Sequence, residues 1–285
     1  IEEKKNYGID LGLFDNRIDL QVDYFNNKRK SILLQRNTVS NVTGFQQMPW
    51  QNFGIVKNHG VDASLTLNQK IGQVNLSARG NFTFARNEII EYDQVPQVYP
   101  WLEKRGTRLN SNKLYIAEGL YTYDDFIING EGLNRTYELK PGVVSGLSSG
   151  VRPGDIKYKD QNGDGVINTS DYKIIGGTIP RYTFGLSLYG DYKGFDLSML
   201  FQGVGKADGY INGQGIQTFI EGGTVQEQHK DYWTPENRNA KFPRLAFNET
   251  NNMQNSSFWM KNAAYIRLKN VQLGYACLLY TSPSP

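Results

Sequence analysis

Cysteine is almost absent from the 285 residues, and Cys277 alone excludes a disulfide framework and a multi-cysteine zinc centre. Histidine is nearly as scarce: His59 and His229 lie far apart in unrelated contexts. No apolar run approaches the roughly 20 residues that a membrane-crossing helix needs. That excludes helical membrane proteins, but not a membrane β-barrel, whose strands are only half apolar. Charge of one sign is not in excess either. A net charge of +3, dispersed along the chain, argues against nucleic acid as a partner. With 18 Tyr, 14 Phe and 4 Trp the chain is too aromatic to stay disordered. Ile1-Glu2-Glu3-Lys4-Lys5 lacks the apolar region of a signal peptide, so the protein is either cytoplasmic or has lost its N-terminal part.

Thirty glycines, with abundant Asn, Tyr and Thr, point to strands and turns. Alternation with period two is the dominant pattern. Tyr7, Ile9, Leu11 and Leu13 alternate with Gly8, Asp10 and Gly12, and Ile18, Leu20, Val22 and Tyr24 with Asp19, Gln21 and Asp23. The same holds for Val61 to Leu67, Val74 to Phe84, Tyr182 to Leu188 and Phe195 to Phe201. A seventh segment, Tyr265 to Tyr275, slips near Asn270, which predicts a bulge. Turns at Asp15-Asn16, Gln69 to Gly72 and Lys193-Gly194 are short, whereas the connections at 28–52, 89–180 and 207–261 are long. Alternating short and long connections are the pattern of outer-membrane barrels, and structureless loops of such length are uncommon in compact soluble domains. Tyr24, Phe25, Phe82, Phe84, Tyr189, Tyr192 and Phe195 sit toward strand ends, where aromatic girdles are expected. The competing architecture is a secreted or surface β-sandwich that binds glycan, with the same aromatics in its core. Seven strands would leave two open edges in hydrocarbon, so the predicted fold is all-β: an antiparallel transmembrane barrel fragment.

Three segments carry a family resemblance. They are Gly154-Asp155-Ile156-Lys157-Tyr158-Lys159-Asp160-Gln161-Asn162-Gly163-Asp164-Gly165-Val166-Ile167 (with Ile174-Ile175-Gly176 and Pro180-Arg181-Tyr182), His229-Lys230-Asp231-Tyr232-Trp233-Thr234-Pro235-Glu236-Asn237 (with Asn239-Ala240 and Pro243-Arg244-Leu245), and Ser257-Phe258-Trp259 followed by Tyr265 to Tyr275. In this order they resemble the C-terminal part of the SusC/RagA-type TonB-dependent outer-membrane receptors of Bacteroidetes, over residues 5 to 275. The resemblance implies a barrel of about 22 strands with an N-terminal plug. It also implies a SusD-like surface lipoprotein as lid, import of oligosaccharides or peptides, and drive through TonB, ExbB and ExbD, which engage a region upstream of this chain. Residues 1–276 would then be partial barrel in the outer membrane, facing lipid, with no cofactor required. The tail 277–285, which carries Pro283 and Pro285, departs from the family and is expected to be non-native.

Few segments suggest chemistry. Asp160, Asn162, Asp164, Asn168 and Asp171 occupy positions 1, 3, 5, 9 and 12 of a calcium-loop pattern, with Gly165 at the sharp turn and the Val166 carbonyl at position 7. The loop is a candidate structural Ca²⁺ site; the competing reading is a polar turn closed without metal. Trp101, Tyr115, Tyr121, Tyr123, Phe126, Tyr210, Phe219, Trp233 and Trp259 lie in the long connections, where they could stack on sugars or pack the loops together. No single ligand residue can be named from them. Gly146-Leu147-Ser148-Ser149-Gly150 matches a nucleophile elbow only formally, lacking the flanking strand, helix and histidine. No carboxylate pair sits in a context that argues for acid–base catalysis, so an enzyme, such as a β-rich glycoside hydrolase, is not expected.

Overall fold

The computed structural model describes residues 1–148, 150–247 and 249–276, with the side chains of Asn41 and Leu133 excepted. Seven strands form one antiparallel sheet in chain order: β1 (Glu2–Leu13), β2 (Ile18–Gln35), β3 (Trp50–Ile71), β4 (Val74–Glu91), β5 (Tyr182–Tyr192), β6 (Phe195–Gly205) and β7 (Tyr265–Tyr275). β1 and β7 are its edges, so the sheet is an open segment of barrel wall. The expected tail at 277–285 lies outside the described residues.

In a pleated sheet, directly paired residues share a face. The register therefore assembles the apolar positions of all seven strands into one surface. Ile9 pairs with Val22, Val22 with Ala63, Ala63 with Phe82, Phe82 with Phe184 and Phe184 with Gly203. This surface is uncovered: Ile9 is 62% and Leu273 74% exposed. Among the described residues every other sheet is two-stranded, so no second layer buries it, and the β-sandwich architecture is overturned.

β7 shows how the face survives an irregular sequence. Leu200 pairs with Asn270 and Phe201 with Leu268, so Lys269 is the extra residue of a bulge. Without it, Ile266 and Leu268 would turn to the polar side; with it they rejoin Val271, Leu273 and Tyr275. The slip near Asn270 is this bulge.

Aromatic residues bound the apolar surface at two levels. One row pairs Tyr7 with Tyr24, Tyr24 with Val61, Val61 with Phe84 and Phe84 with Tyr182. The other pairs Tyr192 with Phe195 and Phe195 with Tyr275, whose rings are 4.5 Å apart. Ten residue steps along β5 separate the rows, about 33 Å at roughly 3.3 Å per residue. Tilted by about 45°, that is a band near 23 Å, matching the roughly 25 Å apolar belt of membrane barrels. Phe25 and Tyr189 do not join these rows. They pair with Gly60 and Ser77 on the polar face, where the Phe25 ring covers the bare backbone of Gly60.

All three short turns fall at one end of the sheet. Lys193 and Gly194 both have positive φ (46° and 86°), the geometry of a two-residue hairpin that matches strand twist. The long connections fall at the other end, with bounds that differ from the sequence expectation. β2 continues to Gln35 and β3 starts at Trp50, so the first connection is 36–49; the others are 92–181 and 206–264. Ser31, at φ 56°, forms an irregularity in the β2–β3 ladder between Arg29 and Ile32, which hid the end of β2 from a period-two reading.

Candidate functional site

The face opposite the apolar band is largely polar, with Phe25, Val56, Ile89 and Tyr189 as exceptions. Ser64 donates to Gln21 (3.3 Å), Ser77 to Asn68 (2.8 Å) and Asn75 to Asp191 (2.8 Å) across neighbouring strands. Asp23 sits directly opposite Asp62, and Asp191 opposite Asp196. Like charges so placed repel, and the arrangement is tolerable only where water screens it. This face is the wall of an aqueous lumen.

Over the long-connection end, residues 92–181 and 206–264 fold together into an ordered cap. Asn112–Tyr115 pairs with Tyr172–Ile175, Ala117–Leu120 with Ile156–Tyr158, and Asp208–Tyr210 with Met260–Asn262. The Tyr115 N–H donates to the Asn255 carbonyl (2.9 Å) and the Ala117 N–H to the Ser257 hydroxyl (2.8 Å), joining the two connections. Tyr115, Ile156, Tyr158, Ile167 and Trp259 form one buried cluster, and Tyr121, Phe126 and Val151 another.

Asp155 is the polar centre of the cap and is fully buried. It accepts from Arg244 (2.8 Å), the Asn252 amide (2.7 Å) and the Arg152 N–H (2.8 Å). Burial pushes its carboxyl up, against the pull of Arg244 and the N–H donors. Arg244 also bridges to Glu249 (3.0 Å). Asp125 and Asp93 show the opposite balance. Burial opposes the charge of Asp125, but the Thr122 N–H and Lys157 (2.9 Å) outweigh it and hold the carboxyl below the usual range. Asp93, just past β4, is likewise held low: the Thr38 hydroxyl, the N–H groups of Asn37 and Thr38, and Arg36 outweigh its burial and clamp the first connection to the wall. His229 is buried; its Nδ1 accepts from the Gln226 N–H (2.9 Å), which leaves Nε2–H to donate to the Ile216 carbonyl (2.9 Å). It is a structural histidine.

Asp160, Asn162, Asp164, Val166, Asn168 and Asp171 do come together in one turn. Asp160 accepts from the Gly163 and Gly165 N–H groups (both 2.7 Å), and Asp164 from the Val166 N–H (2.9 Å) and the Asn162 amide (2.8 Å). These bonds lower the Asp164 carboxyl, with Asn162 the larger cause. Buried Asp171 accepts from the Gln161 (2.9 Å) and Asn168 (2.8 Å) N–H groups, and the Asn168 amide lies 3.4 Å from the Val166 carbonyl. The acceptors thus close the turn on itself. Among the described residues no three His, Cys, Asp or Glu side chains are grouped to hold a metal ion; a calcium loop would also draw on the Asn162 and Asn168 amide oxygens and the Val166 carbonyl.

Most of the loop aromatics serve the cap. Tyr115, Tyr121, Phe126, Trp233 and Trp259 are buried, and Trp101 stacks on Tyr99 at 4.7 Å while donating to the Ser170 carbonyl (2.8 Å). Tyr123, Tyr210 and Phe219 are half-buried. Ser148, the central residue of the elbow-like segment, donates to Glu249 (2.9 Å) rather than to a histidine. Sequence reasoning missed two chambers where wall and cap meet. One, of about 600 Å³, is lined by Ile32, Leu34, Val56, Ile89, the amides of Asn27, Asn58 and Asn87, and Arg108 from the cap. The other, of about 500 Å³, is lined by Arg108, Arg181, Lys206 and Asp208 among others. These residues come from distant segments with no local motif.

This architecture has known counterparts. The TonB dependent receptor-like β-barrel family model matches residues 2–276. TonB-dependent receptor P26 of Formosa agariphila is 28% identical over 94% of this chain, and receptor P3 of the same organism 27% identical over 94%. The chain spans about a quarter of the length of these curated relatives, 26% in each case. Among solved structures, that of the RagAB peptide transporter superposes with a TM-score of 0.64 at 22% identity, covering 96% of this chain and 28% of that one. The RagAB peptide importer in its closed-closed state gives 0.63 at 23% identity, with the same coverage. A lipid-facing belt, a wet inner wall and a cap on the long-connection end are what such a barrel requires, and the chain belongs to the TonB-dependent receptor β-barrel family.

Proposed function

We propose that the chain forms part of the wall and mouth of a bacterial outer-membrane importer of oligosaccharides or peptides. A SusD-like surface lipoprotein would close over the mouth, and TonB, ExbB and ExbD would supply force through a region upstream of these residues. The observation that carries this reading is the division of labour in a single sheet. An apolar belt bounded by aromatic rows faces outward, a hydrogen-bonded polar wall faces inward, and an ordered cap covers one end only. Val42, Phe45, Val98 and Phe247, all exposed in the long connections, offer a lipoprotein lid apolar surface to cover. The test is growth of a strain lacking the full-length receptor on oligosaccharide or peptide as sole nutrient. Loss of growth on one nutrient, restored by the full-length gene, is expected. Undiminished growth of that strain on both, with the receptor absent from the outer-membrane fraction of the parent strain, would refute the reading.

Structural calcium at the Asp160–Asp171 turn is a separate proposal. Binding would require Asp160, Asp164 and Asp171 to converge from their present arrangement and to share acceptors with the N–H groups they now serve. Heat released on titration with millimolar Ca²⁺, lost in the D164A/D171A variant, would support it; absence of heat removes it.

A further inference from the structure

Arg108 and Arg181 line one chamber of about 500 Å³ at the junction of cap and wall. Among the described residues neither forms an ion pair. Both are partly buried, and the Nε of Arg181 is buried without a hydrogen-bond partner. Such a pair is costly: like charges at close range repel, and a buried guanidinium N–H left unmade costs the desolvation of that group. The one carboxylate lining the chamber, Asp208, answers two guanidiniums and the ammonium of Lys206 at the edge. Burial and the neighbouring Arg181 push Arg108 below its ordinary value despite Asp208.

The two side chains are nevertheless built in. Arg108 donates to the Ile179 carbonyl, and its guanidinium lies against Gly177, where a Cβ would stand 2.9 Å from Cζ. Gly177, at φ 154°, is thus a cradle that only glycine provides. The backbone before Arg108's neighbour is tied to the wall by the bond from the Leu109 N–H to Asn87 (2.7 Å). The main chain of Arg181 is pinned on both sides, its carbonyl accepting from the Ala85 N–H (3.0 Å) and its N–H donating to the Gly205 carbonyl (3.2 Å), which fixes where the side chain starts. Two forks lining one space, one seated on Gly177 and the other with a buried unpartnered Nε, and only Asp208 to offset them, suit the geometry of a carboxylate.

Arg108 also lines the adjoining chamber of about 600 Å³, where the aliphatic side chains of Ile32, Leu34, Val56 and Ile89 stand beside the amides of Asn58 and Asn87, with Glu2, Arg29 and Glu91 also in the lining. Sugar rings want aromatic platforms, and Tyr92 is the lone aromatic there. Aliphatic walls suit apolar side chains, and amides suit peptide N–H and C=O groups. Resting on the importer reading above, we infer that the mouth binds a short peptide by its C-terminal carboxylate, held by Arg108 and Arg181, with its apolar side chains in the adjoining aliphatic chamber.

The test uses the full-length receptor in detergent and titrates three probes. These are a pentapeptide of leucine, valine and alanine with a free C-terminus, the same peptide amidated, and a uronate trisaccharide. The free acid should bind about 10- to 100-fold more tightly than the amide, the worth of charge-assisted hydrogen bonds to a paired anion. That preference should vanish in R108Q/R181Q, persist in part in R108K/R181K, and remain in K70Q/K193Q, which removes two cations from the short-turn end. Heat-modifiable migration on gels verifies that each variant is folded. Equal affinity for acid and amide, a preference untouched by R108Q/R181Q, binding of the uronate in place of the peptide, or no binding of any probe by the folded receptor would each overturn the inference. Failure of the importer reading itself would show elsewhere, as a receptor absent from the outer membrane and without effect on growth.

Discussion

Replacing Asp155 by Asn removes one charge at the centre of the cap and almost nothing else in shape. The native carboxylate takes donors from Arg244, Asn252 and the Arg152 N–H in a site with no solvent exposure. An amide turns one acceptor into a donor, so it confronts Arg244 or Asn252 with a mismatched hydrogen. Breaking a buried ion pair from one side costs about 3–5 kcal/mol, chiefly because the surviving charge is left uncompensated. Glu249, 3.0 Å from Arg244, retains part of that compensation and places the expected cost near 3 kcal/mol. At about 1.4 kcal/mol per factor of ten, the cap should open roughly a hundredfold more often. The assay is native-state proteolysis of outer membranes, in the regime where cleavage reports the open population. Cleavage within 92–181 and 206–264 should accelerate accordingly while the heat-modifiable barrel band is unchanged. R244M should act similarly, and D155N/R244M should cost clearly less than the sum of the two. Cleavage rates within about threefold of the parent in D155N would refute the reasoning. The upward displacement of the Asp155 carboxyl fits this picture: burial penalises the charge more than its partners reward it, so the pair specifies the geometry of the cap more than it adds stability.

Acid should loosen the cap through Asp93 and Asp125. Both carboxyls are held low in the folded state, so their contribution is complete above the unfolded carboxylate value, about 4, and is lost as pH falls through the depressed values. D93N should flatten the acid limb of a pepsin-digestion profile, and an unaltered limb would count against the clamp. On the wall, L186R places a cation in the apolar belt at a cost of about 2–4 kcal/mol near the membrane midplane, whereas S187R, one residue on, faces the lumen and should be tolerated. Comparable yields of folded receptor from both would contradict the assignment of faces. A Cβ on Gly203 would stand 2.3 Å from the Phe184 ring, so G203A should destabilise the barrel by about 1–3 kcal/mol, read as a lower temperature of gel-shift conversion. An unchanged conversion temperature would show that the ring moves freely.

The wall was legible in the sequence because one face meets hydrocarbon and the other water, a constraint that writes itself into every second residue. It fades where the constraint ends. Beyond Asn27 both faces of β2 are wet, and the bulge at Ser31 shifts the register, so Lys28-Arg29-Lys30-Ser31 reads as loop although the ladder continues. The cap was opaque for a different reason. Its contacts join residues far apart in the chain: Arg244 to Asp155, Asn251 to Ile156 and Asn252 to Asp155, each through one ordinary polar side chain with no local pattern. Aromatic content marked these connections as important, yet could not separate rings that fill a core, such as Tyr121 and Trp259, from those left exposed, such as Phe45 and Phe247. The calcium-like spacing illustrates a further limit. Asx-type turns and metal loops use the same residues, and only the direction of each oxygen distinguishes them.

β2, β3 and β4 are 18, 22 and 18 residues long, about twice the roughly 9–11 that a tilted strand needs to cross a bilayer. Their upper halves therefore stand as a parapet in open water, and the two chambers are cut into that parapet rather than into the portion girdled by acyl chains. A change in bilayer thickness would strain only the foundations. Affinity at the rim should stay largely indifferent to lipid composition, yet respond to ionic strength, as befits charges that stand in water just past the upper aromatic row.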